Sequence, residues 1–341
     1  MSEHPGSPRG SIAPSKPAPK LALWQALNLA HDRALAADDA VFVLGEDVGL
    51  FGGSYRVTQG LYAKYGEWRV RDVPISENSF TGLGVGAALV GGRPVVEIMT
   101  TNFALLALDA IINMAAKLRY MSGGRMGVPL VIRMPGGVAH QLGAQHSQRL
   151  EHTLLNVPGL RIVTPGTPQD AYWQFLQAVS DDDPIVMLEH ELLYFTQGEF
   201  DVDAPAPPMH AAAVRRPGRD VTLIAWQRMV SVAMKAAETL AGQGIEAEVI
   251  DLRSLRPIDL PLLLDSLRRT HRAVVVEEDC GFGGAGAEIA AALSEAGFFE
   301  LEGPVLRVAA ADVPTPYNAA LEAESIPDAD QVVAAVRRSV G

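Results

Sequence analysis

The feature that most constrains this chain is an alternation. Short, β-branched apolar runs are each followed by a longer stretch of helical character. A strand buried on both faces reads as a continuous apolar run, and a parallel neighbour is reached only through a crossover, usually a helix. The pattern therefore predicts an α/β fold built on largely parallel sheets flanked by helices, and it occurs twice. The first set puts strands at Val41–Gly45, Pro94–Met99, Pro129–Met134, Arg161–Thr164 and Ile185–Glu189. Helices are expected at Leu21–Ala37, Phe80–Val90, Leu105–Met121 and Pro168–Ser180. The last opens on Thr167 as a cap, Pro168 at the first helical position and Asp170 in the first turn. Between Gln197 and Arg219 the alternation lapses into a stretch holding Pro205, Pro207, Pro208 and Pro217, which predicts a connection. The second set has strands at Val221–Trp226, Ala247–Leu252, Ala273–Glu277 and Val305–Ala309, and helices at Met229–Ala241, Leu260–Thr270, Ala285–Ala296 and Asp330–Ser339. At 341 residues the chain exceeds what one core usually organises. The expected division is a disordered tail at 1–20, a first domain at 21–197, a linker at 198–219 and a second domain at 220–341. The tail holds five prolines and no apolar h-region, unlike a secretory signal.

Composition narrows the function classes. Lys plus Arg number 28 against 40 Asp plus Glu, a formal charge of −12, which repels phosphate backbones and anionic lipid. Nucleic acid and membrane are therefore not expected partners. Asp109 and Lys117 interrupt the most apolar stretch, Phe103 to Met121, so no membrane span is expected either. One cysteine, Cys280, excludes an internal disulfide framework and a multi-cysteine metal site. It is expected to be a small buried apolar side chain, and a bacterial cytoplasm is the expected compartment, with an organellar matrix as the alternative.

Gly281, Gly283 and Gly286 spell G-x-G-x-x-G after an expected strand and at the mouth of an expected helix, the position of a dinucleotide fingerprint. Glu277, Glu278 and Asp279 stand immediately before it and would meet a pyrophosphate with like charge. Tight turning and close helix–sheet packing account for the glycines instead. The same three acids, with the C-terminal helix, form an expected docking surface for a basic partner domain.

Chemistry is concentrated in Ile75-Ser76-Glu77-Asn78-Ser79-Phe80, in the stretch from Glu97 to Phe103, and in Gln145-His146-Ser147-Gln148. A glutamate just before a helix of small apolar residues is poorly hydrated if buried, which makes Glu77 a candidate proton donor. A solvated carboxylate favoured by the helix dipole is the other reading. His146 lies in a Gly/Gln/Ser-rich loop, where titrating side chains serve ligands; taken alone it is equally a surface histidine, and Phe103 a core residue.

At these residues the chain resembles the beta subunits of the thiamine-diphosphate-dependent 2-oxo acid dehydrogenases, most closely the pyruvate type. The resemblance spans Leu21 to Val340. It rests on LGEDVG (Leu44–Gly49), GGSYRVTQGL (Gly52–Leu61), PISENSFTG (Pro74–Gly82), RPVVE (Arg93–Glu97), AAKLRYMSGG (Ala115–Gly124), GAQHSQ (Gly143–Gln148), VPGLRIVTP (Val157–Pro165), EVIDLRSLRPID (Glu248–Asp259) and DVPTPY (Asp312–Tyr317). It implies a transketolase-like pyrimidine-binding domain followed by a transketolase C-terminal-like domain. By the resemblance, Glu77 hydrogen-bonds the cofactor's aminopyrimidine ring, Phe103 packs against that ring, and His146 stands near the thiazolium end to meet the lipoyl group. Glu46 matches a glutamate that passes protons between distant active sites. Leu130, Ala178, Asp181 and Asp183 match a potassium-binding turn, and a solvated acidic turn is the alternative there.

The Gly-Asp-Gly stretch and paired asparagines that hold diphosphate through Mg²⁺ in thiamine enzymes do not occur in this sequence. The resemblance assigns them to an alpha subunit in an α2β2 tetramer, with thiamine diphosphate shared at the interface. It implies decarboxylation of pyruvate and acyl transfer to the lipoyl-lysine of a dihydrolipoyl acyltransferase. Branched-chain 2-oxo acid or acetoin dehydrogenation, and a non-catalytic docking module, are the alternatives. The chain departs from the family pattern at Val73, at the bulky Asp170-Ala171-Tyr172-Trp173 stretch near the potassium turn, and at Thr101.

Overall fold

The structure is a computed structural model that describes residues 19–138 and 140–341. The expected tail lies almost wholly outside them. Its strands are β1 (Lys20–Ala22), β2 (Val41–Gly45), β3 (Val70–Asp72), β4 (Arg93–Glu97), β5 (Val131–Gly136), β6 (Arg161–Val163), β7 (Ile185–His190), β8 (Gln197–Glu199), β9 (Ala213–Arg216), β10 (Val221–Ala225), β11 (Ala247–Asp251), β12 (Ser254–Arg256), β13 (Ala273–Cys280) and β14 (Leu306–Ala310). A seven-stranded sheet runs β12-β6-β7-β5-β4-β2-β3 and a five-stranded sheet runs β14-β13-β10-β11-β9. Each is parallel except for one antiparallel edge strand, β12 beside β6 and β9 beside β11. The predicted α/β architecture of two parallel sheets with flanking helices is what forms, and the predicted strands lie within it.

Several boundaries differ. The stretch expected as a connection contributes β8, which pairs with β1, and β9, which closes the second sheet. Three-residue β12 belongs in sequence to the second half but completes the edge of the first sheet. An apolar cluster likewise runs unbroken from Leu130 and Ile132 through Trp226 and Leu255 to Leu263 and Ile289, so the two domains share one core.

The helix expected over Leu105–Met121 is not continuous. It divides into Ala104–Leu108, a π-helical segment Asp109–Ala115, and Leu118–Met121. The wide turn, with the Ala116 N–H donating to the Ile111 carbonyl at 3.1 Å, keeps Ala110, Ile111, Ala115 and Ala116 on the buried side. Contrary to expectation, Thr101–Met121 is long and apolar enough to cross a membrane by length and composition despite Asp109 and Lys117. Its buried Ala104, Ala107, Ala115 and Ala116 join the apolar core cluster. At Pro168–Ser180, Thr167 caps as expected, its Oγ1 accepting the Asp170 N–H at 3.1 Å.

Candidate active site

The chain leaves β2 outward to β3, then returns past β2 to β4 on the other side. Strand order reverses there, and in open α/β sheets the crevice at the carboxyl ends of such strands is the ligand site. Each candidate residue follows one of these ends. Glu46 follows β2, Glu77 opens the helix Glu77–Leu89 after β3, Phe103 ends the turn Thr101–Phe103 after β4, and His146 lies in the loop after β5.

Glu77 is buried, and among the described residues its carboxylate makes no hydrogen bond. Glu46 is buried with Oε1 unpartnered. Burial, the carboxylate of Glu77 and that of Asp47 hold the Glu46 carboxyl above the usual range. Phe103 is half-buried, and the exposed His146 ring meets it edge-on, 5.6 Å between centroids at 82°. The structure thus brings the acid pair together at one side of the crevice and the aromatic–imidazole pair together at another.

Beneath the crevice lies a charged network that the sequence reading missed. Arg133, fully buried in β5, donates to Glu189 of β7 through Nε at 2.7 Å and Nη2 at 2.6 Å, and to Glu97 of β4 through Nη1 at 2.5 Å. The Tyr194 hydroxyl also donates to Glu189, and Tyr55 stacks on Tyr194. The available signal was a single charge inside each of three apolar runs, VVE, VIRM and VMLE. Isolated charges of this kind are buried only when paired.

The turn that the resemblance matches to a potassium site pairs with the protein's own cations. Arg161 pairs with both Asp181 and Asp183, and Arg119 with Asp183 at 2.6 Å. Arg93 donates to the carbonyls of Val179 at 3.0 Å and Asp181 at 3.1 Å. The carbonyls of Ala178 and Leu130 accept the N–H groups of Asp181 and Ile185. Each of these carbonyls and carboxylates thus already has a partner within the chain, and among the described residues no cluster of three or more His, Cys, Asp or Glu is placed to hold a metal.

In the second domain, the acidic turn expected as a docking surface is corrected. Glu277 and Glu278 are buried, and Asp279 is largely covered. Glu277 fills the helix terminus that the glycine motif creates. Its Oε2 accepts the Gly286 N–H at 2.9 Å, and a Cβ at Gly284 would stand 2.6 Å from the same oxygen. An internal carboxylate thus takes the place a phosphate would need. Cys280 is half-buried rather than buried.

Residues 19–197 match the family described as transketolase, pyrimidine binding domain, and residues 210–332 match transketolase, C-terminal domain. A solved structure titled "Split gene transketolase, inactive beta4 tetramer" superposes with a TM-score of 0.77 at 25% identity, covering 94% of this chain and 98% of that one. Fold and crevice therefore define a thiamine-type, transketolase-like protein. Among relatives, the pyruvate dehydrogenase E1 component subunit beta of Porphyra purpurea is 46% identical over 94% of this chain and 97% of its own length. Mitochondrial subunits beta of Arabidopsis thaliana, at 47%, and Drosophila melanogaster, at 46%, match 94% and 95% of this chain and 90% of each relative. The chain belongs to the family of pyruvate dehydrogenase E1 component beta subunits.

Proposed function

We propose that this chain, joined to an alpha subunit in an α2β2 assembly, shares a thiamine diphosphate with it. The assembly decarboxylates pyruvate and passes the acyl group to the lipoyl-lysine of a dihydrolipoyl acyltransferase. The observation that supports this reading is that Glu46 pairs with Glu77, and Phe103 with His146, in segments that follow the carboxyl ends of neighbouring strands of the first sheet. The unpartnered Glu46 Oε1 and the unbonded Glu77 carboxyl leave polar groups that a cofactor ring could satisfy. Nothing in the sequence supplies the Gly-Asp-Gly and asparagine ligands for Mg²⁺ and diphosphate, so these fall to the alpha subunit. Leu50, Phe51, Ile75 and Leu83 are exposed beside Glu46 and Glu77, an apolar surface suited to that partner.

When bound, the cofactor supplies the electron sink that decarboxylation of a 2-oxo acid requires. Glu77 offers a buried carboxyl to the aminopyrimidine ring, where it can give or take a proton. Glu46, which retains its proton to higher pH than an ordinary glutamate in part because the Glu77 carboxylate lies near it, is placed to exchange that proton with its neighbour. Phe103 presents an apolar face that excludes water from a flat ring. His146, exposed at the mouth, holds or releases a proton at its ring nitrogens where the lipoyl group would enter.

The test is reconstitution with the alpha subunit, with pyruvate, 2-oxoisovalerate and acetoin supplied in turn. Pyruvate is expected to be the preferred substrate; preference for either of the others would reassign it. Glu77→Gln should abolish turnover and weaken calorimetric binding of thiamine diphosphate while the thermal transition is kept. Tight binding and turnover of pyruvate by the chain without its partner would overturn the shared-site reading.

A further inference from the structure

The loop that carries His146 begins in the first domain but is held at its base by the second. The Val138 N–H donates to Glu278 Oε1 at 2.6 Å, and the Val138 carbonyl accepts from Arg228 Nη1 at 3.2 Å. Glu278 lies at the carboxyl end of β13, 140 residues further along the chain. It also accepts from His190, at the end of β7, whose Nε2 lies 3.1 and 2.9 Å from its two oxygens. His190 Nδ1 accepts the Leu192 N–H at 3.2 Å, so Nε2 carries the hydrogen given to Glu278. The imidazole lies flat against the loop's first turn. A Cβ at Gly137, where φ is +106°, would stand 2.5 Å from His190 Nε2. Burial opposes ionisation of Glu278, but His190, Arg149 and Arg228 outweigh it and bring its carboxyl down to about 2.

The far end of the same loop is tied to the turn that bears Phe103. The Gln148 N–H donates to Asn102 Oδ1 at 2.9 Å, and Thr101 Oγ1 donates to the Gln148 carbonyl at 3.5 Å. Asn102 is itself held, its Nδ2 donating to Thr100 Oγ1 at 2.8 Å. His146 therefore lies between two anchors, one on each domain, with its ring edge-on to Phe103. The Phe103 anchor and the catalytic edge are continuous in the chain; the Glu278 anchor is not, and it has no place in the chemistry described above.

We propose that Glu278 is a positioning residue that fixes the base of the His146 loop through the Val138 N–H and His190, so that the second domain sets where His146 stands. The proposal rests on the reading of His146 as part of the active site. Misplacing a working group by about 1 Å costs as much as 100-fold in rate, so Glu278→Ala should lower kcat for acyl transfer to a lipoyl acceptor by roughly 10- to 100-fold in the reconstituted holoenzyme. Glu278→Gln, which keeps an oxygen for the Val138 N–H, should recover most of that loss. The His146→Ala,Glu278→Ala double variant should be no slower than His146→Ala, because both changes remove the same contribution. Additive losses would mean that Glu278 acts by some other route and would overturn the proposal. Hydrogen exchange on the full-length chain without its partner tests the anchor apart from any catalysis. In Glu278→Ala the Val138 amide should exchange much faster while the strand amides of β10 and β13 stay protected. Unchanged protection at Val138 would overturn the proposal even if His146 proves essential. A His146→Ala holoenzyme with normal turnover, beside a loosened Val138, would instead sink the assignment of His146 itself.

Discussion

Replacing Arg133 with methionine tests the network under the crevice most directly. Arg133 and Glu189 are wholly buried and Glu97 nearly so, and the guanidinium is the only cation bonded to either carboxylate among the described residues. Removing one partner of a buried ion pair costs about 3–5 kcal/mol, because the remaining charge is left without compensation. With an unfolding entropy of ~2.1 cal/mol/K per residue, a chain of 341 residues unfolds with ~0.7 kcal/mol/K, so Tm should fall by roughly 4–7 °C. Differential scanning calorimetry at pH 7.5 measures it. The deficit should shrink as pH falls. Burial already holds Glu97 above the usual carboxylate range, against the pull of Arg133. Without the arginine, the folded state takes up protons at a higher pH than the unfolded chain does, and stability is regained toward acid. Adding Glu97→Gln and Glu189→Gln to the methionine variant should restore most of the loss, since a neutral set leaves no buried charge. A Tm within a degree of wild type, or a deficit that widens toward pH 5, would refute the reasoning.

Three further outcomes follow from other buried groups. Burial lifts the Glu277 carboxyl to about 7, against the Gly286 N–H that bonds it. Its folded value lies above its unfolded one, so the cost of ionising it is absent below the ordinary value of 4.5 and develops as pH rises from there to about 7. Glu277→Gln should therefore gain stability relative to wild type between pH 4 and pH 8 in urea titrations; the reverse trend would be inconsistent with a strained carboxylate. His31 is buried and stacked on Phe175 at 3.9 Å, and burial with Arg133 holds its ring well below the ordinary 6.5. The unfolded chain takes up that proton first, so stability is full above about 6.5 and falls as pH drops toward the folded value. The stability difference between wild type and His31→Leu should accordingly narrow in wild type's disfavour from pH 7 to pH 5, and a constant difference would dispose of the assignment. At Gly159, with φ +99°, a Cβ would stand 2.0 Å from the Ala116 carbonyl oxygen. Gly159→Ala should cost more than the ~1 kcal/mol that backbone strain alone imposes, visible as a thermal shift of at least ~1.5 °C on the same entropy scale.

What could be read in advance follows from the range over which each signal acts. The parallel strands were legible because burial on both faces leaves an apolar run that needs no knowledge of its neighbours, as in β5 and β10. The helix cap at Thr167 is a contact over three residues and was equally visible. Glu77, Phe103 and His146 were legible as chemistry-bearing residues, but their pairings, Glu77 with Glu46 and Phe103 with His146, were not, because spacing along the chain does not say which strand ends adjoin. Three-residue β3 and β12 carry too few side chains to show a period. The π-helical turn at Asp109–Ala115 packs on the helix Glu77–Leu89, a neighbour that no residue within the turn announces.

Charge was the least legible feature, and for one reason. An acid read alone is a surface residue by default, and only its partner says otherwise. Glu277, Glu278 and Asp279 read as an exposed acidic turn because the groups that bury them are remote. Gly286 lies nine residues on, Val138 and His190 lie 140 and 88 residues back, and His152 127 residues back. Glu97 and Glu189 likewise stand 36 and 56 residues from Arg133. In this fold the parallel crossovers separate neighbours in the sheet by a helix or more of sequence. Any polar contact between strand ends is therefore long-range by construction. The crevice is assembled from such contacts, so the groups that hold its loops emerge only once the strands are in order.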